Sequence, residues 1–336
     1  MNTPTDVPAI APPAPGSAPE ASEAKTALAR RFFRKFGIYA VLIGVVAGAT
    51  IAYPAFLTWD NIELLLTQNA PLGIVAVGMT LVIITGGFDL SVGSVYASAG
   101  TIAAVVSTNG SVAVGAIAGI AAGVVAGAVN GFVVARLNVN PFIATLGTST
   151  IFSGVVLMAS RNQPFTVNKA EFAYLGQSSL AGIPLPLVIV VLIFVSGWIV
   201  LNRSILGRKL LSVGGNREAS RLAGIRTAGV IGGAYVISGT LAAFAGVISA
   251  SQLGVGQGTS GATLALQAIA IVVIGGTSLL GGEGSVVRTA VGLLIIASLD
   301  NLFFSLAFDA NWQSITQGAI VIAAVGLDQL ARRSGR

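Results

Sequence analysis

Ser111-Val-Ala-Val-Gly-Ala-Ile-Ala-Gly-Ile-Ala-Ala-Gly-Val-Val-Ala-Gly-Ala-Val-Asn-Gly131 carries no charge and places glycine at 115, 119, 123, 127 and 131. Roughly 20 apolar residues are enough to cross a bilayer as an α-helix. Glycine at every fourth position leaves one face of such a helix bare of side chains. Helices in lipid associate by close packing and not by the hydrophobic effect, so this face predicts a tight helix–helix contact. The same spacing recurs more weakly at Gly44 and Gly48, and at Gly229 and Gly233.

The chain around this segment is of the same kind. Of its 336 residues 54% are apolar and only 9% charged, with a mean hydropathy of +0.88. A soluble domain carries about a quarter charged residues, so a water-facing surface cannot be built from this composition, and a soluble enzyme is excluded. Histidine and cysteine are both absent. That removes imidazole bases, thiolate nucleophiles, disulfides and the metal sites built on those ligands. An intramembrane enzyme would have to work with Ser, Asp, Glu and Lys alone. The net charge of +6 does not point to nucleic acid, because the basic residues lie between apolar runs rather than on one basic face. Membrane lipid is the expected surrounding.

Apolar runs of spanning length begin near Gly37, Ile62, Leu90, Ser111, Pro141, Pro184, Ala228, Thr263, Val286 and Ser314. They predict an all-α polytopic membrane protein of about ten transmembrane helices, some of them broken. Cytoplasmic loops collect Lys and Arg. With both termini cytoplasmic, sixteen of the eighteen basic residues fall inside, leaving only Arg161 and Lys169 outside. Eight or twelve spans are the alternatives. Residues 1–35 read as a disordered cytoplasmic tail. Six of the twelve prolines precede Lys25, and Lys25, Arg30, Arg31, Arg34 and Lys35 form its basic juxtamembrane end. The first apolar run is too long for the core of a cleaved signal, so a retained span is expected. Residues 36–336 form the membrane domain.

Two stretches interrupt the spans with glycine and polar residues: Thr85-Gly-Gly-Phe-Asp-Leu-Ser-Val-Gly-Ser94 and Gly275-Gly-Thr-Ser-Leu-Leu-Gly-Gly-Glu-Gly-Ser285. Both fall on the inner side. Non-helical backbone at membrane depth is tolerated only where protein or a water-filled cavity satisfies its amides, as along transport pathways. Two ordinary tight turns are the plainer reading. Thr85, Gly86, Asp89, Ser91 and Gly275 are the pathway candidates here, and the likeness of the two stretches hints at an internal duplication. Asp300 and Asn301 lie twelve and thirteen residues past Arg288, about 18 Å up a helix. A carboxylate at that depth is costly unless it faces water or a partner. Gln267, Asn130 and Asn140 are neutral, and helix-to-helix bonding accounts for them, though Gln267 also stands as a pathway candidate.

The energy source is not in the chain. None of the lysines at 25, 35, 169 and 209 ends a phosphate-binding Gly-Lys-Ser/Thr loop, so the chain is not expected to hydrolyse ATP, and no cofactor is expected. Ion-coupled carriers usually hold several ionisable groups within their spans, and Asp300 is the main candidate here. Residues 202–227 stand out as a long inside segment with charge, glycine punctuation and a helical stretch from Arg217 to Ala223. They read as a docking surface, or else as a solvated basic loop.

From about Phe56 to Leu330 the chain resembles the permease subunits of bacterial ATP-binding-cassette importers for ribose, xylose, arabinose and related monosaccharides. The resemblance is carried, in order, by Thr85–Ser94, Asn140-Pro-Phe-Ile-Ala-Thr-Leu-Gly147, Gly214-Gly-Asn-Arg-Glu-Ala-Ser-Arg-Leu-Ala-Gly-Ile225 and Gly275–Gly284. It implies a location in the bacterial cytoplasmic membrane, a pore of two permease chains, two cytoplasmic ATPase subunits and an extracytoplasmic sugar-binding protein. It also implies that Gly214, Gly215, Asn216, Arg217, Glu218, Arg221, Ala223 and Gly224 form the loop that couples to the ATPase. The pathway-side breaks would be the two glycine-rich stretches. Asp300 departs from the neutral amide expected beside Asn301. Branched-chain amino acids or nucleosides as solute, or an ion-coupled mechanism, are the alternatives.

Overall fold

The structure, a computed structural model, describes residues 37–309 together with 311, 312, 315, 316, 318, 319, 322 and 326. The Pro-rich tail with its basic end, most of the run from Ser314, and Arg332, Arg333 and Arg336 lie outside the described residues. A helix stands on each apolar run between Gly37 and Ser305. These are α1 Gly37–Ala52, α2 Trp59–Ile84, α3 Val92–Asn109, α4 Val112–Ala135 and α5 Pro141–Ser160. The short α6, Tyr174–Gln177, precedes α7 Leu185–Arg203, and α8 Ile205–Gly215 and α9 Arg217–Leu222 follow. The series continues with α10 Thr227–Leu253, α11 Leu264–Ile274 and α12 Val286–Ser305. Among the described residues, α2, α4, α5, α7, α10 and α12 are each long and apolar enough to cross a membrane. The chain is a helical, multi-pass membrane protein.

The glycine stripe does what its spacing predicts. A Cβ on Gly115 would meet the Ala103 carbonyl oxygen and one on Gly119 the Ala99 carbonyl. One on Gly123 would meet Ala243 and the Gly239 carbonyl, and one on Gly131 the Gly232 backbone. The bare face therefore lies on α3 near one end of the helix and on α10 near the other. The weaker pairs behave differently: Gly44, Gly48, Gly229 and Gly233 have nothing within 4 Å of the space a Cβ would fill.

Helices α2 and α10 are central, while α4, α5 and α7 are mostly uncovered. Their outward faces carry Ile117, Val125, Ile143, Ile151, Val155, Leu192 and Val195, all exposed. In water each such side chain would forfeit about 1.5–3 kcal/mol of burial. Lipid solvates them at no such cost.

One expected span takes another form. The run beginning at Thr263 is a helix of only 11 residues, about 16 Å long. Non-helical backbone from Gly254 to Thr263 precedes it and lies along α3, with Gly256 against Gly100 and Thr101, and Gly261 against Gly93. Only backbone without side chains approaches a helix this closely. Beyond the C-terminal end of α10, β1 Phe165–Thr166 pairs antiparallel with β4 Val255–Gly256, and β2 Ser179–Leu180 pairs with β3 Ile183–Pro184. At the same end the Lys169 ammonium donates to the carbonyls of Ser107 (2.7 Å) and Gly110 (2.6 Å) at the C-terminus of α3. A cation there satisfies carbonyls the helix cannot pair and complements its dipole.

Candidate translocation and coupling site

The first glycine-rich break separates α2 from α3 and enters the helix bundle. Its Asp89 has no solvent exposure. One carboxylate oxygen accepts from the Ser91 hydroxyl at 2.6 Å and the Ser91 amide at 3.1 Å. The other accepts from the Ser238 hydroxyl on α10 at 2.9 Å. Ser91 Oγ in turn accepts from Asn130 Nδ2 of α4 at 2.6 Å, and Asn130 Oδ1 accepts from the Thr148 hydroxyl of α5 at 2.6 Å. Two further hydroxyls close the backbone: Thr145 Oγ1 accepts from the Leu90 amide at 3.0 Å, and the Tyr235 hydroxyl donates to the Phe88 carbonyl at 3.0 Å. Ser238 lies eleven residues into α10, about 16 Å along its axis. Irregular backbone is thus held well inside the bundle because side chains of α4, α5 and α10 satisfy its polar groups, which is the condition for it to exist there.

The second break, between α11 and α12, folds back on itself. The Ser278 amide donates to the Glu283 carbonyl at 3.0 Å, and Gly276, Gly281 and Gly282 have φ of 72°, 86° and 78°, the left-handed region open to glycine. The Gly282 amide donates to the Ile84 carbonyl at 2.9 Å, one of the carbonyls that the end of α2 leaves without a helical partner. The Ser285 hydroxyl accepts from the Arg288 amide at 3.4 Å and caps α12. Thr289 Oγ1 lies 2.9 Å from Thr80 Oγ1, joining α12 to α2. Gly275 is buried with a Thr289 Cα 3.0 Å from its would-be Cβ, so α11 and α12 meet there backbone to backbone.

The 202–227 segment meets both breaks. A Cβ on Gly214 would fall on the Ile84 carbonyl oxygen and 2.5 Å from the Gly282 amide nitrogen. One on Gly282 would lie 2.8 Å from the Gly215 Cα, and one on Gly281 2.8 Å from the Gly86 nitrogen and 3.0 Å from the Gly214 carbonyl. Beyond this junction Asn216 caps α9, accepting from the Ala219 amide at 2.9 Å. Helix α9 then projects with Glu218, Arg221, Leu222, Ala223 and Gly224 exposed, while Ser220 is buried beneath it. Arg217 is exposed, but its guanidinium donates to Asn138 Oδ1 at 2.9 Å, tying α9 to the α4–α5 connection. Glu218 and Arg221 pair at 2.5 Å across one turn. Hydrogen bonding to the Arg221 guanidinium holds the Glu218 carboxyl below its ordinary value. A carboxyl with a depressed value keeps its charged partner at neutral pH and loses it only as pH falls through that depressed value. The pair is therefore constant across the physiological range.

The structure unites some candidates and separates others. Thr85 and Gly86 sit at the junction, and Asp89 and Ser91 lie deeper, fully enclosed. Asn301 pairs reciprocally with Asn61, amide to amide, at 3.0 and 3.1 Å, and Asn61 also donates to the Phe56 carbonyl at 2.8 Å. This clasp joins α2 to α12 at the end opposite the breaks. Gln267 and Asp300 are half-buried on α11 and α12. An apolar groove of about 670 Å³ opens between α3, α4 and α5, lined by Val95, Ile102, Val125, Phe152 and Val155 among others. Its walls offer few polar partners to a sugar. Thr145, Thr148, Tyr235, Ser238 and Leu222 escape the sequence reading. Thr145, Tyr235 and Ser238 bond the break across long sequence separations, and Thr148 supports it through Asn130; of these only Thr145 lies in a quoted motif, Asn140–Gly147. Leu222 lies in the quoted coupling motif, and its exposure of 76% is what marks it.

The family model described as "branched-chain amino acid transport system / permease component" matches residues 61–325. The ribose import permease protein RbsC of Bacillus subtilis is 39% identical over 299 residues, 88% of this chain and 93% of that protein. RbsC of Escherichia coli K12 is 37% identical over 315 residues, 90% of this chain and 98% of its own. The L-arabinose transport system permease protein AraH of the same organism is 36% identical over 310 residues, 91% and 94% of the two chains. No solved structure matches the chain. A family match of this extent, with relatives of this identity along nearly their whole length, places the chain in the permease family to which these transport proteins belong.

Proposed function

We propose that the chain is the permease subunit of an ATP-binding-cassette importer in a bacterial cytoplasmic membrane, and that it moves a monosaccharide. The observation that carries this reading is the placement of α9. It stands exposed, with its Glu218–Arg221 pair and Leu222 free to dock, while the residues just before it press on both pathway breaks. Relatives named for ribose and L-arabinose supply the solute class.

In this reading ten spans with both termini inside form the domain from residue 36 to 336, preceded by the cytoplasmic tail. Two such chains make the pore, ATPase subunits seat on α9, and a sugar-binding protein delivers solute from the opposite face. ATP binding draws the ATPases together, and the motion opens the bundle alternately to either side. No bond in the solute changes. Tight binding is not needed along the pathway, since the site must release what it receives, and specificity can rest in the binding protein. Half-buried Gln267 and Asp300 are the polar groups that we assign to the pathway wall; Asp89 and Ser91 hold its first break in place.

The test is uptake of labelled D-ribose, L-arabinose and L-leucine by cells lacking this chain, with and without its return. Pentose uptake should need the chain and its co-purifying ATPase. Replacing Glu218 and Arg221 together should abolish that uptake while membrane insertion is unchanged. Leucine dependence in place of pentose would give the solute to the amino-acid branch named in the family description. Uptake that persists on an ion gradient without the ATPase would overturn the ATP-driven mechanism.

A further inference from the structure

We infer that the coupling segment and the two glycine-rich breaks form one rigid body, so that the ATPase stroke reaches the inner ends of α2 and α12 directly through a backbone junction. This rests on the docking role proposed for α9. The positioning residues are Gly86, Gly214, Gly215, Gly281 and Gly282.

Four observations carry it. First, the contacts are backbone on backbone: Gly281 against Gly86 and Gly214, Gly282 against Gly215, and Gly214 against Ile84. Side-chain contacts can slide by changing rotamer, whereas these have no rotamers to change, and close-packed interiors transmit displacement. Second, the Gly282 amide and the carbonyl of buried Ile84 are bonded at 2.9 Å, and separating them would leave that carbonyl unpaired at about 1–3 kcal/mol. Third, Gly86, Gly281 and Gly282 all hold left-handed backbone, so the close approach depends on glycine at each of them.

The fourth is the shortness of the path, set against the route along α10. From α9 the other route runs through Gly224 and Ile225 into α10, which bonds the first break only further along, through Tyr235 and Ser238. The junction, by comparison, holds Gly86, two residues past the end of α2, and Gly282, four residues before the start of α12. A displacement of α9 therefore arrives at the inner ends of α2 and α12 without an intervening side chain.

A rigid joint makes an unusual demand: a covalent lock across it must be silent. The chain has no cysteine, so a pair can be introduced cleanly. Ser212→Cys replaces an exposed residue of α8 one turn before Gly215, and Glu283→Cys an exposed residue beside Gly282. The complex with its ATPase and binding protein would be treated with a short, reducible thiol crosslinker, and labelled D-ribose and L-arabinose uptake measured. The expected result is crosslinked protein that transports at the uncrosslinked rate. Loss of uptake on crosslinking, restored by reductant, would overturn the proposal, because the elements would then have to separate in each cycle.

The second variant is Gly214→Ala, whose Cβ would collide with the Ile84 carbonyl. It should retain ATP hydrolysis and lose uptake, and a normal ratio of solute moved to ATP consumed would also overturn the joint. Should Gly214→Ala fail to reach the membrane, the crosslink decides alone. Failure here is distinct from failure of the importer reading, which would appear as pentose uptake independent of the ATPase in the unaltered chain.

Discussion

Asp89 illustrates how a buried carboxylate can serve as a fastening. Three donors converge on it, two from Ser91 and one from Ser238, and Ser91 passes the bond on to Asn130 and Thr148. Replacing it by alanine would leave the Ser91 and Ser238 hydroxyls without their acceptor in a place water does not reach. Each orphaned group costs about 1–3 kcal/mol, and the break loses its tie to α10. Asp89→Asn keeps one carbonyl oxygen and fills the same volume, so it should cost much less. Thermal unfolding in detergent should rank wild type, Asp89→Asn and Asp89→Ala in falling order, with Ser238→Ala between the last two; equal midpoints for all four would show that the network holds nothing. The sequence exposes the acid and its neighbouring serine, since both lie in one motif. It conceals Ser238 and Thr148, because a lone hydroxyl in an apolar helix looks the same whether it bonds its own turn or a break 149 residues away.

At the scale of the elements, hydropathy and glycine spacing make most of the helices legible. A helix in lipid must satisfy its own backbone, so any long apolar run has few choices. What hydropathy could not separate is the run before Gly275, where a half-length α11 and the non-helical backbone of Gly254–Thr263 share one passage. Glycine and small residues suit both a packed helix and a backbone laid against its neighbour. The stripe on α4 is clearer because five glycines share one face, and it can be tested by direction. Gly123→Val adds bulk where a Cβ already meets Ala243 and the Gly239 carbonyl, an overpacking worth about 1–3 kcal/mol or more. Val125→Ala removes bulk from an exposed position, 62% uncovered, and should change little. Size-exclusion profiles of the heated protein should show Gly123→Val aggregating first; equal behaviour would mean that α4 does not pack through its glycines. The junction of Gly86, Gly214 and Gly282 was beyond sequence reading for a related reason. Each glycine is explained locally by a turn, and only the fold brings the three turns together.

For the whole molecule the question is which end faces the cytoplasm, and two contacts bear on it. Arg217, in the segment richest in basic residues, reaches Asn138 in the α4–α5 connection. Lys169 reaches Gly110 beside the α3–α4 connection at the other end. Strict alternation from an inside N-terminus puts the loops at 85–91, 136–140, 203–226 and 275–285 on the inner side, and those at 109–111, 161–184 and 254 on the outer. Both contacts join loops that alternation assigns to the same side, and the charge bias supplies the sign. Because the chain has no cysteine, single introduced thiols can report each end. Asn109→Cys and Gln163→Cys replace exposed residues at one end and Ser212→Cys an exposed residue at the other. In intact cells a membrane-impermeant maleimide should label the first two and leave Ser212→Cys unlabelled until the membrane is opened. Labelling of Ser212→Cys from outside would invert the protein, and α9 would then face away from any cytoplasmic ATPase. If Asn109→Cys and Gln163→Cys reacted from opposite sides, alternation would be broken between α3 and α5, and the count of ten spans would fall while the packing of α4 on α10 would stand.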